Sequence, residues 1–385
     1  MLKLITRYIL LIGFAVFVWG FFLLDVFAPV KDFSELENRY LNQSPALTAR
    51  AVWTNNYTLR YEEYVNDQFA ARDAWIGLKS LSEWALGKLE NNGVLYGADN
   101  YLFEQAFSLD ERQLQRNLEY IGEFSRIYGD APVTFTIIPN SYAVLPHKLP
   151  PGAPVIDQLG IISENYRSLS GGPLKILDIA PALMGCEGEP LYYRTDHHWT
   201  TFGAYAAYAA YLASLDVSPV PLDSLAAYEA HDFYGTYYSK AKNWNAVPDT
   251  ITWYDVPVAE VIIDGRPADG LYDFEMLEKR DKYAMFLHGN NGLSVIRREK
   301  TPEHGSDPGK ILVFKDSYGN SLVPFLALSF DEVHVVDLRY FDDVAGLLSE
   351  NNYSELYILY NFTTLTQDTN IYKLLRRDSV DLLHN

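Results

Sequence analysis

A run of apolar residues extends from Ile5 to Phe27, and no charged residue occurs between Tyr8 and Leu24. A helix that crosses a membrane needs roughly 20 such residues. Basic residues precede the run and acidic residues follow it, so the positive-inside rule places the amino terminus in the cytoplasm. We therefore expect residues 1–30 to form an uncleaved signal anchor, with the remaining chain outside the cytoplasm. A cleaved signal peptide is the alternative, although no clear cleavage site follows the run.

After this run, strand-like and helix-like patterns alternate along the chain. Runs rich in apolar and β-branched residues predict strands at residues 133–139, 175–178, 310–314, 333–337 and 356–360. Helical spacing of apolar residues predicts helices at residues 109–128, 156–169, 201–215 and 320–327. Such alternation predicts an α/β domain, residues 31–385, built on a doubly wound and mostly parallel sheet.

Two stretches stand outside this alternation. Residues 33–41 are polar and compatible with a helix. Residues from about 231 to 300 contain four strand-like runs without helical spacing, and we interpret them as a β-rich insertion that shapes one wall of a cleft.

The most chemically reactive stretch is Tyr193-Arg194-Thr195-Asp196-His197-His198-Trp199-Thr200. Residues two apart in an extended backbone point the same way, so Asp196 and His198 can share one side while His197 faces the other. That arrangement suits a carboxylate that orients an imidazole. Thr200 is a plausible N-cap of the helix that follows.

A serine lies far downstream, where the strand at residues 310–314 ends in a small polar turn. A serine hydroxyl needs a base to take its proton, and the base needs a carboxylate to hold its tautomer. Ser317, His198 and Asp196 can supply these three roles. Backbone N–H groups after Ser317 are candidates for stabilising an oxyanion.

The stretch Thr195-Asp196-His197-His198-Trp199 resembles the motif of the DHHW protein family, which is similar to SGNH-hydrolase-like proteins of bacterial alginate O-acetylation. Other matching pieces are Glu37-Asn38-Arg39, Asn66-Asp67-Gln68-Phe69, Gly93 to Phe103, Gly235-Thr236 and Lys315-Asp316-Ser317. The resemblance implies a catalytic triad of Asp196, His198 and Ser317, and a membrane-bound O-acyltransferase partner that supplies acetyl groups. The triad order is inverted relative to ordinary SGNH esterases, as in the alginate branch.

Further candidate residues lie at predicted strand ends or beside the motifs, and in an α/β sheet ligands bind at the carboxyl ends of strands. We expect roles in binding substrate or the oxyanion for Arg339, Tyr340, Asn361, Tyr318, His197 and Trp199. Each has a structural alternative: Arg339 can pair with Asp337 or Asp342, Asn361 can cap the next segment, and Tyr318 can be core. The sequence also leaves open which of the two histidines is the base.

Composition narrows the possible partners. The net charge of −19 argues against nucleic-acid binding, which needs clustered Lys and Arg. The single Cys186 cannot form an internal disulfide or a Cys-rich zinc site, and we expect no cofactor. The aromatic content of 15% suits surfaces that stack on sugar rings, or equally a Tyr-rich core.

The leading hypothesis is an extracytoplasmic O-acetyltransferase that modifies a polysaccharide through an acetyl-Ser317 intermediate. An esterase with the same triad and a non-catalytic membrane-anchored scaffold or glycan-binding subunit are the alternatives. A metal site on Asp196, His197 and His198 is a weaker fourth hypothesis, because adjacent histidines do not easily bind one ion.

Overall fold

The computed structural model describes residues 2–34, 39–128, 131–186, 188–243, 245–299 and 309–376. The chain divides into two compact units: unit 1 comprises residues 1–91 and 239–245, and unit 2 comprises residues 92–238 and 246–385. The elements of unit 1 are α1 (Leu2–Phe27), β1 (Phe33–Ser34), β2 (Arg39–Tyr40), α2 (Ala49–Trp53), α3 (Asn56–Gln68), α4 (Arg72–Ala85) and β3 (Glu90–Asn91).

Unit 2 contains most of the regular structure. Its strands are β4 (Val94–Tyr96), β5 (Leu102–Glu104), β6 (Val133–Ile138), β7 (Lys175–Ile176), β8 (Ala227–Phe233), β9 (Asp249–Tyr254), β10 (Val258–Ile263), β11 (Arg266–Ala268), β12 (Leu293–Arg298), β13 (Lys310–Lys315), β14 (Glu332–Val336) and β15 (Glu355–Asn361). Its helices are α5 (Glu111–Ile127), α6 (Ser141–Val144), α7 (Gln158–Leu169), α8 (Ala180–Met184), α9 (Thr201–Ser214), α10 (Thr236–Ala241, whose end belongs to unit 1), α11 (Gly319–Leu326), α12 (Val344–Glu350) and α13 (Phe362–Gln367).

The central sheet of unit 2 has eight strands in the order β11-β10-β12-β14-β13-β15-β6-β7. Neighbours from β14 to β7 pair in parallel, whereas β11, β10, β12 and β14 pair antiparallel. The prediction of an α/β fold is therefore confirmed, and the central sheet is mixed. Strands β10, β11 and β12 come from the predicted β-rich stretch and extend the central sheet at one edge, while β8 and β9 of the same region pair separately.

Alternate residues of the central strands face two separate cores. Ile311 and Val313 of β13 pack in one core with residues of α9 and α11. Leu312 and Phe314 pack in the other with residues of α5, α7 and α12. Both faces are thus covered by helices, which explains why these strands are continuously apolar rather than alternating. The loops that carry the polar residues lie at the carboxyl ends of the parallel strands.

In unit 1 the helix-compatible pattern of residues 33–41 does not give a helix in the described part of this stretch, because β1 and β2 pair antiparallel there. Glu37 and Asn38 lie outside the described residues. The cause is a tertiary contact: the buried Asp67 accepts hydrogen bonds from Arg39 (2.5 and 2.9 Å) and from Asn42 N (2.9 Å). The Arg39 hydrogen bond holds the pKa of Asp67 well below its usual range. The motif Asn66-Asp67-Gln68-Phe69 therefore fastens this segment to α3.

Helix α1 covers the predicted signal anchor. Residues Tyr8–Phe27 have a mean hydropathy of 2.5, and by length and composition this helix could cross a membrane. A signal sequence would meet the same criterion.

Candidate active site

The turn that carries Ser317 joins β13 to α11. The hydroxyl-bearing residue lies directly beyond the carboxyl end of the strand, as the sequence predicts. Asp316 fixes this turn, because its carboxylate accepts hydrogen bonds from Tyr318 N (3.0 Å) and from Asn361 N (2.8 Å) on the neighbouring strand β15. Gly319 allows the turn to be tight, since a Cβ there would lie 2.7 Å from the Lys315 side chain.

Asp196, His198 and Ser317 form a continuous chain of hydrogen bonds. Nδ1 of His198 lies 2.6 Å from Oδ1 of Asp196, and Nε2 lies 2.8 Å from Oγ of Ser317. A carboxylate can only accept, so Nδ1 carries the proton and Nε2 is left to accept from the serine hydroxyl. Asp196 and His198 are buried, whereas Ser317 is partly exposed. The geometry is that of a serine nucleophile with its base and orienting acid.

Asp196 accepts two further hydrogen bonds from backbone N–H groups. Its Oδ1 accepts from His198 N (2.9 Å) and its Oδ2 from Thr236 N (2.7 Å). Gly235 precedes that donor, and a Cβ at Gly235 would lie 2.2 Å from Cβ of Asp196. This close approach gives a physical reason for glycine in the Gly235-Thr236 pair.

Contacts at both ends hold in place the loop that carries Asp196 and His198. At its start, Asp249 of β9 accepts from Arg194 N (2.8 Å), Thr195 N (2.8 Å) and Thr195 Oγ1 (2.6 Å). At its end, Nε1 of the fully buried Trp199 donates to Tyr318 O (2.9 Å) and lies 3.0 Å from Ser321 Oγ. Trp199 thereby ties the Asp-His loop to the turn of the nucleophile.

The electrostatics favour a neutral base and an ionised acid. Burial and the neighbouring His197 lower the pKa of His198 to about 4, against the opposing effect of Asp196. Burial opposes ionisation of Asp196, but His197 and His198 outweigh it and hold the Asp196 pKa well below its usual range. At neutral pH His198 can therefore accept the Ser317 proton without first losing one.

Tyr283 contacts both His198 and the Ser317 turn, and the sequence did not reveal this. Its ring stacks on the His198 imidazole with centroids 3.7 Å apart and an interplanar angle of 9°. Its hydroxyl donates to Ser317 O (3.1 Å) and lies 3.1 Å from Ser321 Oγ. The residue belongs to the predicted β-rich stretch, where nothing distinguishes it from the other tyrosines of the chain.

His197 does not point away from His198 as alternation predicts. The two rings lie 3.8 Å apart, and Nδ1 of His197 lies 2.7 Å from Thr236 Oγ1. Asp196, His197 and His198 bring possible metal-ligand atoms within 4.8 Å of one another. Both ring nitrogens of His198 already bond to Asp196 and Ser317, so a metal bound by His198 would have to displace one of these hydrogen bonds.

The other candidates lie near the same strand ends, in contacts of their own. Arg339 donates to Asp337 through Nε (2.9 Å) and Nη2 (2.5 Å), and its guanidinium lies over the exposed Tyr340 ring at 5.5 Å. Asn361 caps α13 by accepting from Thr363 N (3.0 Å) and donates to Ile138 O (3.1 Å). Tyr318 is buried and donates to His197 O.

Comparison with known proteins identifies two matching sequence families. The sequence model of the DHHW protein family matches residues 179–336, which include the loop and the Ser317 turn. The resemblance to DHHW proteins is confirmed. A second model, described as the SGNH hydrolase-like domain of the acetyltransferase AlgX, matches residues 94–240. No curated protein matches the chain significantly.

Solved structures show the same fold. A DHHW family protein from Eubacterium siraeum is 24% identical with a TM-score of 0.63, over 74% of this chain and 96% of its own. Bacillus cereus PatB1 is 19% identical with a TM-score of 0.60, over 73% of this chain and 99% of its own. PatB1 has also been solved with a sulfonyl adduct, at 18% identity and a TM-score of 0.59, with the same coverage.

Proposed function

We propose that this DHHW-like protein is an extracytoplasmic O-acetyltransferase that modifies a polysaccharide through an acetyl-serine intermediate. The observation that carries the proposal is the unbroken hydrogen-bond chain from Asp196 through His198 to a partly exposed Ser317. Supporting it is the match to an acetyltransferase domain model on residues 94–240. We also propose that the central sheet is doubly wound, in the manner of SGNH hydrolases.

The first half-reaction transfers the acetyl group to the protein. Ser317 Oγ attacks the carbonyl carbon of the acetyl donor while His198 Nε2 takes the hydroxyl proton. The tetrahedral adduct then collapses, the bond to the donor oxygen breaks, and His198 returns the proton to that leaving group. Asp196 stays ionised and stabilises the imidazolium between these steps.

The second half-reaction repeats the chemistry with a sugar hydroxyl. His198 takes the proton of the acceptor hydroxyl as its oxygen attacks the acetyl carbonyl, and the Ser317 oxygen leaves with that proton. An acetylated sugar and free serine result. If water attacks instead, the product is acetate and the protein is an esterase, so access to the acyl-enzyme separates the two activities.

The proposed setting is the outer face of the cell membrane. Helix α1, as a single-pass signal anchor, would keep the catalytic domain near a membrane-bound O-acyltransferase that supplies acetyl groups. The apolar stretch Tyr8–Phe27 supports the anchor. The partner rests on the resemblance to alginate acetylation proteins.

The test is intact mass spectrometry of the purified full chain after exposure to an activated acetyl ester. We expect one added acetyl group on the wild type and on Ser163→Ala, an exposed serine of α7, and none on Ser317→Ala. Adding a panel of neutral and acidic oligosaccharides then separates transfer from hydrolysis, since acetylated sugar appears only in transfer. Absence of both adduct and ester turnover in the wild type would favour the non-catalytic scaffold.

A further inference from the structure

Helix α4 of unit 1 exposes a broad apolar side. Trp75, Leu78, Leu81 and Trp84 are 39%, 55%, 38% and 45% exposed, and Leu86 after the helix is 87% exposed. At 100° per residue the four helical positions fall within one half of the helix circumference. The other half carries charge, and there Lys79 lies 3.9 Å from Glu83. Soluble surfaces rarely group large apolar side chains in this way, so the apolar side needs a partner.

The start of α4 contacts the apolar helix α1. The ring of Phe21 lies 5.5 Å from Trp75 and stacks on Phe69 at 6.3 Å with an interplanar angle of 4°. Ala70 N, in the turn between α3 and α4, donates to Asp25 Oδ1 (3.0 Å). The turn is therefore fastened to α1 by both ring contacts and a hydrogen bond.

These contacts set the depth of α4 along α1. Phe21 lies six residues before the end of the Tyr8–Phe27 stretch, which corresponds to about 9 Å along a helix. If that stretch crosses a membrane, Phe69 and Trp75 lie level with its outer third. Tryptophan is enriched at the adjoining boundary with the headgroups, since its ring is apolar and its N–H bonds to water or headgroups.

We propose that the apolar side of α4 docks on the outer surface of the membrane that α1 crosses, with Trp75 and Trp84 at the boundary between headgroups and acyl chains. The occupant is the lipid itself, because the surface is continuous with the ring contacts to α1. This inference rests on the proposed membrane anchoring and not on the acetylation chemistry. It gives unit 1 the role of an interfacial platform, as amphipathic helices provide in other proteins.

The test measures depth with a spin label on the full chain in lipid nanodiscs that hold one copy. In a Cys186→Ser background, Leu78→Cys and the matched Lys79→Cys are labelled in turn, which is feasible because Cys186 is the single cysteine. We expect the label at position 78 to collide several-fold more with oxygen than with a water-soluble nickel complex, and the label at position 79 to show the reverse preference. Equal preference for the nickel complex at both positions would overturn the proposal.

A second measurement uses conservative variants. In a Trp19→Phe background, which removes the tryptophan inside α1, brominated lipids should quench fluorescence, and Trp75→Phe with Trp84→Phe should remove at least half of that quenching. Trp253→Phe, in unit 2, serves as the control and should leave it unchanged. If bromine quenching is unaffected while acrylamide fails to reach Trp75 and Trp84, another protein surface covers α4 and the lipid proposal is wrong. The mass of the acetyl adduct on Ser317 is read separately, so neither result depends on the other.

Discussion

Replacing Asp196 by Asn tests the proposed triad most directly, because both carboxylate oxygens accept hydrogen bonds from backbone N–H groups. Its Oδ1 faces two donors, His198 Nδ1 (2.6 Å) and His198 N (2.9 Å), and its Oδ2 faces Thr236 N (2.7 Å). An asparagine has one acceptor oxygen and one NH₂ group. In either orientation the NH₂ group therefore faces a backbone donor.

The two orientations fail in different ways. With NH₂ at the Oδ1 position, the amide donates to Nδ1 of His198 and forces the proton onto Nε2, which then cannot accept from Ser317. With NH₂ at the Oδ2 position, the Thr236 N–H loses its acceptor, which costs about 1–3 kcal/mol for a buried group. The wrong tautomer lowers acylation by about 10⁴-fold in other serine triads, which is about 5.5 kcal/mol of transition-state stabilisation.

The assay is the rate at which the full chain forms acetyl-Ser317 from an activated acetyl ester, followed by quenched-flow mass spectrometry. Asp343→Asn is the matched control, since Asp343 only caps α12 by accepting from Gly346 N (2.8 Å), a bond that asparagine can keep. We expect Asp196→Asn to acylate about 10³- to 10⁴-fold more slowly and Asp343→Asn to match the wild type. Acylation by Asp196→Asn within tenfold of the wild type would refute the role that we give to this carboxylate.

The contacts around Asp196 and His198 lead to four further predictions. Because burial and His197 lower the His198 pKa to about 4, the acylation rate should be constant from about pH 5 to 8 and fall tenfold per pH unit below 4; a midpoint near the ordinary value of 6.5 would contradict this. Because the pKa of His198 is lower in the folded state, the folded protein binds fewer protons than the unfolded chain between pH 4 and 6.5. Denaturant titrations should therefore show that the free energy of unfolding falls by up to about 3 kcal/mol as the pH falls through that window, with full stability above it. Gly235→Ala should slow acylation at least about 10²-fold and lower the melting temperature, because the alanine Cβ would lie 2.2 Å from Asp196 Cβ. The control Gly77→Ala should do neither, because no atom lies within 4 Å of a Cβ at that position. Tyr283→Phe keeps the stacked ring and should change the rate only a few-fold, whereas Tyr283→Leu exposes His198 and should both slow acylation and raise the pH midpoint; identical pH profiles for the two variants would argue against the stacking role.

The parts of the fold that local patterns determine were predictable. Strands β6, β13, β14 and β15 are continuously apolar because helices cover both faces, and their positions follow from that pattern. The strand-like interpretation of the region from 231 to 300 is correct for β9 and β10 but wrong for Thr236–Ala241, which forms α10, and for Lys282–Met285, which forms a 3₁₀ helix. The pairing of the strands in this region was not predictable. Whether β10 and β12 extend the central sheet or pair separately, as β8 and β9 do, depends on partners far along the chain.

Predictability of the site follows the same division. Asp196 and His198 stand two apart, and their bonding requires only a local loop, whereas the distance to Ser317 depends on β13 and on the Trp199 contact. Tyr283 had no local signal, because its role comes from a tertiary stack and tyrosine is common in this chain. Residues 33–41 are compatible with a helix by pattern, but their described part forms β1 and β2, where Asp67, which is distant in sequence, binds Arg39.

The contacts of Trp199 join the two segments that carry the proposed triad, although its serine comes last in the chain. Its indole N–H bonds to Tyr318 O, one residue after the nucleophile, while the preceding residue His198 bonds to the nucleophile itself. Tyr318 in turn donates to His197 O, so successive residues of each motif bond to the other. Three hydrogen bonds thus join the two short segments. Their order along the chain does not matter, provided that the fold places both at the same end of the sheet. We therefore propose a positioning role for the Trp199 indole, and its replacement should disturb the distance from His198 to Ser317 rather than the basicity of the imidazole.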